Sequence, residues 1–179
     1  MTSNIGNLWS EIEGHLAAHA ETVLPTLNPP ASEAEIKSLE RFTGEPIPED
    51  LRESLLIHNG QSDPSRLQIL CDAGTLLSVA DMHRVWTFLT DTDAGMGPPP
   101  NGIVWWNPKY LPFTDYEGDH LCLDRRPDSL GEVVWQIHDG EIERNIHPTY
   151  TAWLTSVRDV FAQNRFRVED GYLDFWLDS

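Results

Sequence analysis

Residues 103–147 read IVWWNPKYLPFTDYEGDHLCLDRRPDSLGEVVWQIHDGEIERNIH, and this stretch decides the fold class. Runs rich in Val, Ile, Trp, Phe and Leu alternate with turn formers, so strands are expected at 103–106, 111–113, 120–124 and 132–138. Asn107-Pro108, Glu117-Gly118 and residues 127–131 separate them. Asp139-Gly140 is a two-residue hairpin signal that pairs 133–138 with 141–146. Consecutive short strands with tight turns imply an antiparallel sheet.

Upstream of this stretch the hydrophobic period is helical. Leu8, Trp9, Ile12 and Leu16 predict a helix over 7–19, which Pro25 and Asn28-Pro29-Pro30 bring to a stop. Ser32 with Glu35 is a capping box for a second helix, whose inward stripe is Ile36, Leu39 and Phe42 and whose end is Gly44. Pro48, Glu49 and Asp50 suit the start of a third helix, with Leu51, Leu55 and Leu56 inward and Asn59-Gly60 as its stop. Residues 61–66 read as a loop, 67–71 as a short strand and 76–79 as a second short apolar stretch. Met82, Val85, Trp86 and Leu89 mark a helix over 81–89, and residues 91–102, with three glycines and three consecutive prolines, read as irregular. A long helix over 149–163 returns Trp153, Leu154, Val157, Val160 and Phe161 to the sheet. The expectation is an α+β fold: an antiparallel sheet of about five to six strands, with N-terminal helices and a C-terminal helix packed around it. Residues 1–179 read as a single domain, with 168–179 as an acidic aromatic C-terminal extension.

Charge is the strongest bulk feature. Twelve Lys+Arg stand against 29 Asp+Glu, a formal net charge of −17. Such a chain repels phosphate backbones and anionic lipid, so a direct nucleic-acid or membrane partner is not expected, whereas a basic protein would be steered in by the field. No run of about 18 apolar residues occurs, and residues 1–8 lack the basic flank and apolar core of a signal peptide, so a cytoplasmic place is expected. Cys71 and Cys122 sit beside leucines with no metal-site or redox spacing, which predicts reduced core thiols.

Catalytic and metal patterns are weak. His15 and His19 lack the glutamate of a zinc-helix motif, and Asp91-Thr92-Asp93 begins like a calcium loop but reaches Gly102 where the bidentate glutamate belongs. Cys122, His58 or His120, and Asn59 are the residue types of a nucleophilic site, yet nothing in their spacing gathers them. Asp115, Glu117, Asp119 and Asp124 surround one expected hairpin and read better as solvated turn charges than as a glycosidase pair. His58-Asn59-Gly60 has a structural reading as a helix end. No cofactor, no metal and no catalysis are expected.

The ordered fragments resemble the Smi/Knr cell-wall-regulator family, the SUKH superfamily that includes bacterial toxin-immunity proteins. They are Leu27-Asn28-Pro29-Pro30-Ala31-Ser32-Glu33-Ala34-Glu35-Ile36, Glu40, Gly44, Ile47-Pro48-Glu49-Asp50-Leu51 and His58-Asn59-Gly60. In the second half they are Leu76-Leu77-Ser78, Trp106 with Pro108, Leu111-Pro112-Phe113, Asp115, Gly118-Asp119, Leu121-Cys122-Leu123-Asp124, Gly131 and Val133. The resemblance extends over about residues 8–154, departing at Arg125-Arg126, in the short 127–131 connection and in the tail. It implies an α+β binding module without catalytic residues: an immunity protein that occludes a cognate toxin, or a regulatory adaptor of cell-wall synthesis. The partner-facing residues expected from charge and exposure are Asp115, Glu117, Asp119, Asp124, Trp105 and Trp106.

Overall fold

The computed structural model describes residues 4–62, 74–96, 104–139, 142–169 and 172–175. Helix α1, Asn4–His19, buries the stripe Ile5, Leu8, Trp9, Ile12 and Leu16. Helix α2, Glu33–Thr43, starts on the expected capping box, with Ser32 Oγ accepting the Glu35 N–H and the Glu35 carboxylate accepting the Ser32 N–H at 2.7 Å. Gly44 ends it at φ 76, the left-handed conformation that L side chains avoid. Ile36 and Leu39 point inward as expected, but Phe42 is 47% exposed. Thr43, not Phe42, continues the buried side of α2 in its last turn. Helix α3, Glu49–Leu55, buries Leu51, Ser54 and Leu55.

Strand β1, Thr75–Leu76, leads into helix α4, Val79–Met96. Residues 91–96, expected to be irregular, continue this helix, which therefore carries Asp91 and Asp93. A lone Gly95 costs only about 1 kcal/mol and does not break a helix that Met82, Val85 and Leu89 already anchor in the core. The expected strand at 67–71, Cys71 with it, and residues 97–102 lie outside the described residues.

Five strands follow: β2, Tyr110–Pro112; β3, Thr114–Asp115; β4, His120–Asp124; β5, Val133–Gln136; and β6, Glu143–His147. They form an antiparallel sheet in the order β2-β4-β5-β6, and β1 pairs with β3. Phe113 joins the two ladders, its N–H donating to Leu121 O and its carbonyl accepting from Leu77 N, both at 2.9 Å. With β2 and β3 as halves of one bent strand, the sheet is five strands wide. The two segments expected to pair do so as β5–β6, but not in the register of a two-residue hairpin: Val133 is opposite His147 and Trp135 opposite Glu143, with a register shift between them, and the strands end at Gln136 and resume at Glu143.

The strand expected at 103–106 does not form at 104–106. Side-chain bonds hold this segment instead: the Trp105 indole N–H donates to His138 O and that of Trp106 to Thr90 Oγ1, each at 3.0 Å. Two adjacent tryptophans look like strand residues by propensity, but here tertiary anchoring replaces the ladder.

Strand β4 is buried along its whole length. Helix α5, Tyr150–Ala162, covers one face of the sheet and buries Tyr150, Trp153, Leu154, Val157 and Phe161. Phe113 meets the Tyr150 and Trp153 rings edge-on at 5.4 and 4.9 Å. Cys122 lies in this core as a free thiol, and burial pushes its pKa well above the usual thiol value. A hairpin of β7, Phe166–Glu169, and β8, Tyr172–Phe175, follows α5 and buries Leu173.

The resemblance-bearing motifs meet in space. Asn28 N donates to Gly60 O, Asn59 N to Pro29 O and the Asn28 side-chain amide to Asn59 O, at 2.9, 3.2 and 2.8 Å. His58 closes the clasp, its Nδ1 on Asn28 O and its Nε2 paired with Glu13 at 2.7 Å. Asn59 Oδ1 accepts the Val79 N–H at the start of α4, and Gly60, at φ 67, lies so close to Leu77 and Ser78 that a Cβ would sit 2.4 Å from their backbone. His58-Asn59-Gly60 is therefore a fastener among α1, the Asn28-Pro29 loop, β1 and α4, rather than simply the end of α3.

Candidate partner-binding surface

The sequence-predicted surface is built at one end of β4, where the β3–β4 turn meets the end of β5. Tyr116 and Asp119 exchange backbone hydrogen bonds at 2.9 Å across a two-residue turn. Glu117 and Gly118 take positive φ values of 52 and 99, as a tight hairpin twisted like its strands requires. Glycine adopts this geometry freely, whereas Glu117 is held in it by the hairpin with its side chain in solvent. Asp115 steadies the turn by accepting the Gly118 N–H at 3.3 Å.

Asp119 reaches across to β5. Its Oδ1 accepts from both the backbone N–H and Nδ1 of His138, each at 2.8 Å, while Trp105 holds the His138 carbonyl. Three segments distant in sequence thus meet at one residue. The Asp119 bond, with Asp139 and Glu117 nearby, holds the exposed His138 imidazole above its ordinary pKa. His120, one residue beyond Asp119, behaves oppositely: burial lowers its pKa although Thr114 O, at 2.9 Å, and Asp115 favour the charged form.

Two of the six expected contact residues have no surface to offer. The Asp124 side chain is 0% exposed and Trp106 only 2%. Asp124 lies at the far end of β4, where Arg126 Nη2 donates to it at 2.5 Å and Ser129 Oγ at 2.6 Å, with Arg144 Nη1 at 3.6 Å. Burial alone would raise its carboxyl, but the Arg126 and Ser129 bonds outweigh burial and hold it below the usual range. Trp106 is a core ring. Four residues remain at the surface: Glu117 exposed, and Asp115, Asp119 and Trp105 partly so.

The departing pair Arg125-Arg126 also has a structural explanation. The two side chains, just past the end of β4, take different partners. Arg126 neutralises Asp124, whereas Arg125 is buried and donates to Thr43 Oγ1 at 2.7 Å and to the carbonyls of Glu45 and Lys109 at 3.2 Å. Burial pulls its pKa down to about 10.

Charge pairing is uneven over the molecule. Arg52, Arg84, Lys109, Arg126, Arg144 and Arg158 all form ion pairs with the chain's own carboxylates. The groups acting on His138, in contrast, are the three carboxylates Asp119, Asp139 and Glu117. On α1, His15 stacks on Phe161 at 5.9 Å and His19 meets the Phe166 ring at 5.7 Å, so each imidazole packs on an aromatic neighbour. Among the described residues no group of three or more His, Cys, Asp or Glu could hold a metal ion, and no helix is long and apolar enough to cross a membrane.

An antiparallel sheet wrapped by helices, with its motif residues used as fasteners and Asp115, Glu117 and Asp119 at an exposed turn, defines the class as an α+β scaffold. The sequence pattern of the SMI1 / KNR4 family (SUKH-1) matches residues 30–156, from the turn before α2 into α5. The chain belongs to that family. Comparison with curated proteins gives no match.

Proposed function

We propose that this chain is a cytoplasmic protein-binding module without catalysis of its own, an immunity protein that neutralises a basic toxin domain by covering its active site or substrate groove. The observation that carries the reading is the gathering of Glu117, Asp119 and Asp139 around His138 on a chain of net charge −17. Membership of a family that includes immunity proteins supplies the partner class. Asp115, Glu117, Asp119 and Trp105 form the contact surface: carboxylates steer and orient a cationic partner, and an indole fixed by its own N–H offers a rigid ring at little entropic cost. The whole chain acts as one unit, with 168–179 as its acidic aromatic extension.

Coexpression with each candidate toxin tests this reading, together with affinity capture from native lysate at low and raised salt. The expected result is that the chain restores growth against one toxin and that combining Glu117→Lys with Asp139→Lys abolishes the protection. Growth arrest by every candidate toxin, with several unrelated cellular proteins captured instead, would replace it with the adaptor role suggested by the family's cell-wall regulators.

A further inference from the structure

We propose that the ring corner formed by Phe42 of α2 with His83 and Trp86 of α4 is a second contact surface, which receives an arginine side chain of a basic protein partner. The inference rests on the reading of a basic partner but concerns a different face, toward the Lys109 end of the sheet.

The first observation is Phe42 itself. By sequence it continues the buried stripe of Ile36 and Leu39, which are 0% and 2% exposed, yet 47% of Phe42 remains in solvent. It is not a scattered surface hydrophobe. Its ring centroid lies 3.8 Å from that of His83 and 5.5 Å from that of Trp86, the latter edge-on at 75°. Trp86 is fixed in place, because its indole N–H donates to Pro108 O at 3.0 Å. A core position would bury all three rings, and a loose one would leave them independent. Here they form an aromatic corner around the anchored Trp86, with Phe42 and His83 exposed.

Charge selects the occupant. The chain has 29 acidic residues against 12 basic ones, and of the three cations next to this corner in the chain Lys109, beside the Pro108 that holds Trp86, pairs with Glu45 and Arg84, beside His83, pairs with Asp81, while Arg41 adjoins Phe42. A second copy of the chain would bring another −17 and be repelled. A guanidinium is the group that fits: it is planar, weakly hydrated for a cation and stacks on aromatic faces. The neighbouring shallow, open surface of Glu40, Arg41, Gly44, Glu45 and Pro46 leaves room for the polypeptide that carries it.

The test is a titration of the full chain with hexa-arginine at low salt, following the indole N–H resonances of Trp86 and Trp105 by NMR. Hexa-citrulline, of similar shape but neutral, is the control. The expected result is a saturable shift of the Trp86 resonance by hexa-arginine alone, its local Kd rising about two- to fivefold in Phe42→Leu, which keeps apolar volume but removes the ring. Phe42→Ala should behave alike, with unchanged melting showing that the fold is intact. A shift at Trp105 but none at Trp86 would overturn this inference and leave the acidic-end reading standing. No shift at either would overturn both. Equal Kd for wild type and Phe42→Leu would show that the ring does not hold the cation and would also end the proposal.

Discussion

Replacing Asp124 with asparagine isolates a buried carboxylate of β4 and its arginine partners. The carboxylate receives Arg126 Nε at 3.0 Å on each oxygen, Arg126 Nη2 at 2.5 Å, the Arg126 N–H at 2.9 Å and Ser129 Oγ at 2.6 Å. In Asp124→Asn one oxygen can still accept the backbone N–H, but the amide NH2 faces the guanidinium, donor against donor. A hydrogen bond to a charged group contributes about 1.5–3 kcal/mol net. Arg126 and Arg144 retain 32% and 42% side-chain exposure and stay hydrated, so the loss falls short of the roughly 3–5 kcal/mol of stranding a fully buried charge. The expected cost is about 2–3 kcal/mol, or roughly 4–12 °C in Tm for a chain of this size. Urea unfolding at several pH values measures it. Because the folded-state pKa is depressed, the stabilisation is present above the unfolded value of about 3.9 and is lost as pH falls through the folded pKa. The gap between wild type and variant should hold from about pH 8 to 5, begin to close below about pH 4 and vanish as pH falls through the folded pKa. A gap under about 1 kcal/mol at neutral pH, or one undiminished at about pH 3, would refute the assignment of Asp124 as a structural anion.

Gly60→Ala should destabilise by more than about 3 kcal/mol, since a left-handed alanine costs about 1–2 kcal/mol and its Cβ would also strike the Leu77–Ser78 backbone at 2.4 Å. Gly44→Ala, at φ 76 with nothing within 4 Å, carries only the conformational cost, so equal losses in the two variants would contradict the close approach at Gly60. Asp119→Asn should return the His138 titration, followed by NMR, toward the ordinary histidine value from its raised position. With the folded pKa raised, the ion pair's contribution is complete below about pH 6.5 and is lost as pH rises through the folded value. An unmoved His138 titration would remove Asp119 as the cause.

Local signals that stand alone in the chain were legible in the sequence. The Ser32–Glu35 capping box, the Gly44 stop and the Glu117-Gly118 turn are each specified by a few adjacent residues, and each is present, while the expected partners β5 and β6 do pair but in a shifted register. Propensity failed where a side chain found a distant partner. Trp105 and Trp106 have the composition of a strand, but His138 O and Thr90 Oγ1 hold them outside the ladder. Residues 91–96 carry loop-like residues, but α4 continues through them because its buried side is already anchored.

The acidic site was legible as composition but not as geometry. Asp115, Glu117, Asp119 and Asp124 are near one another in sequence and look equivalent, yet strand direction puts Asp119 at an open turn and Asp124 at the opposite, buried end among arginines. Phe42 shows the converse, an apparent core residue left half in solvent against the His83 and Trp86 rings of α4. By itself the sequence determined the helix ends, the turns, the antiparallel class and the sign of the field, since backbone conformation and net charge follow from residues and their neighbours. Only the tertiary structure decided which carboxylates and rings meet solvent, because exposure depends on elements far away in the chain arriving to cover them.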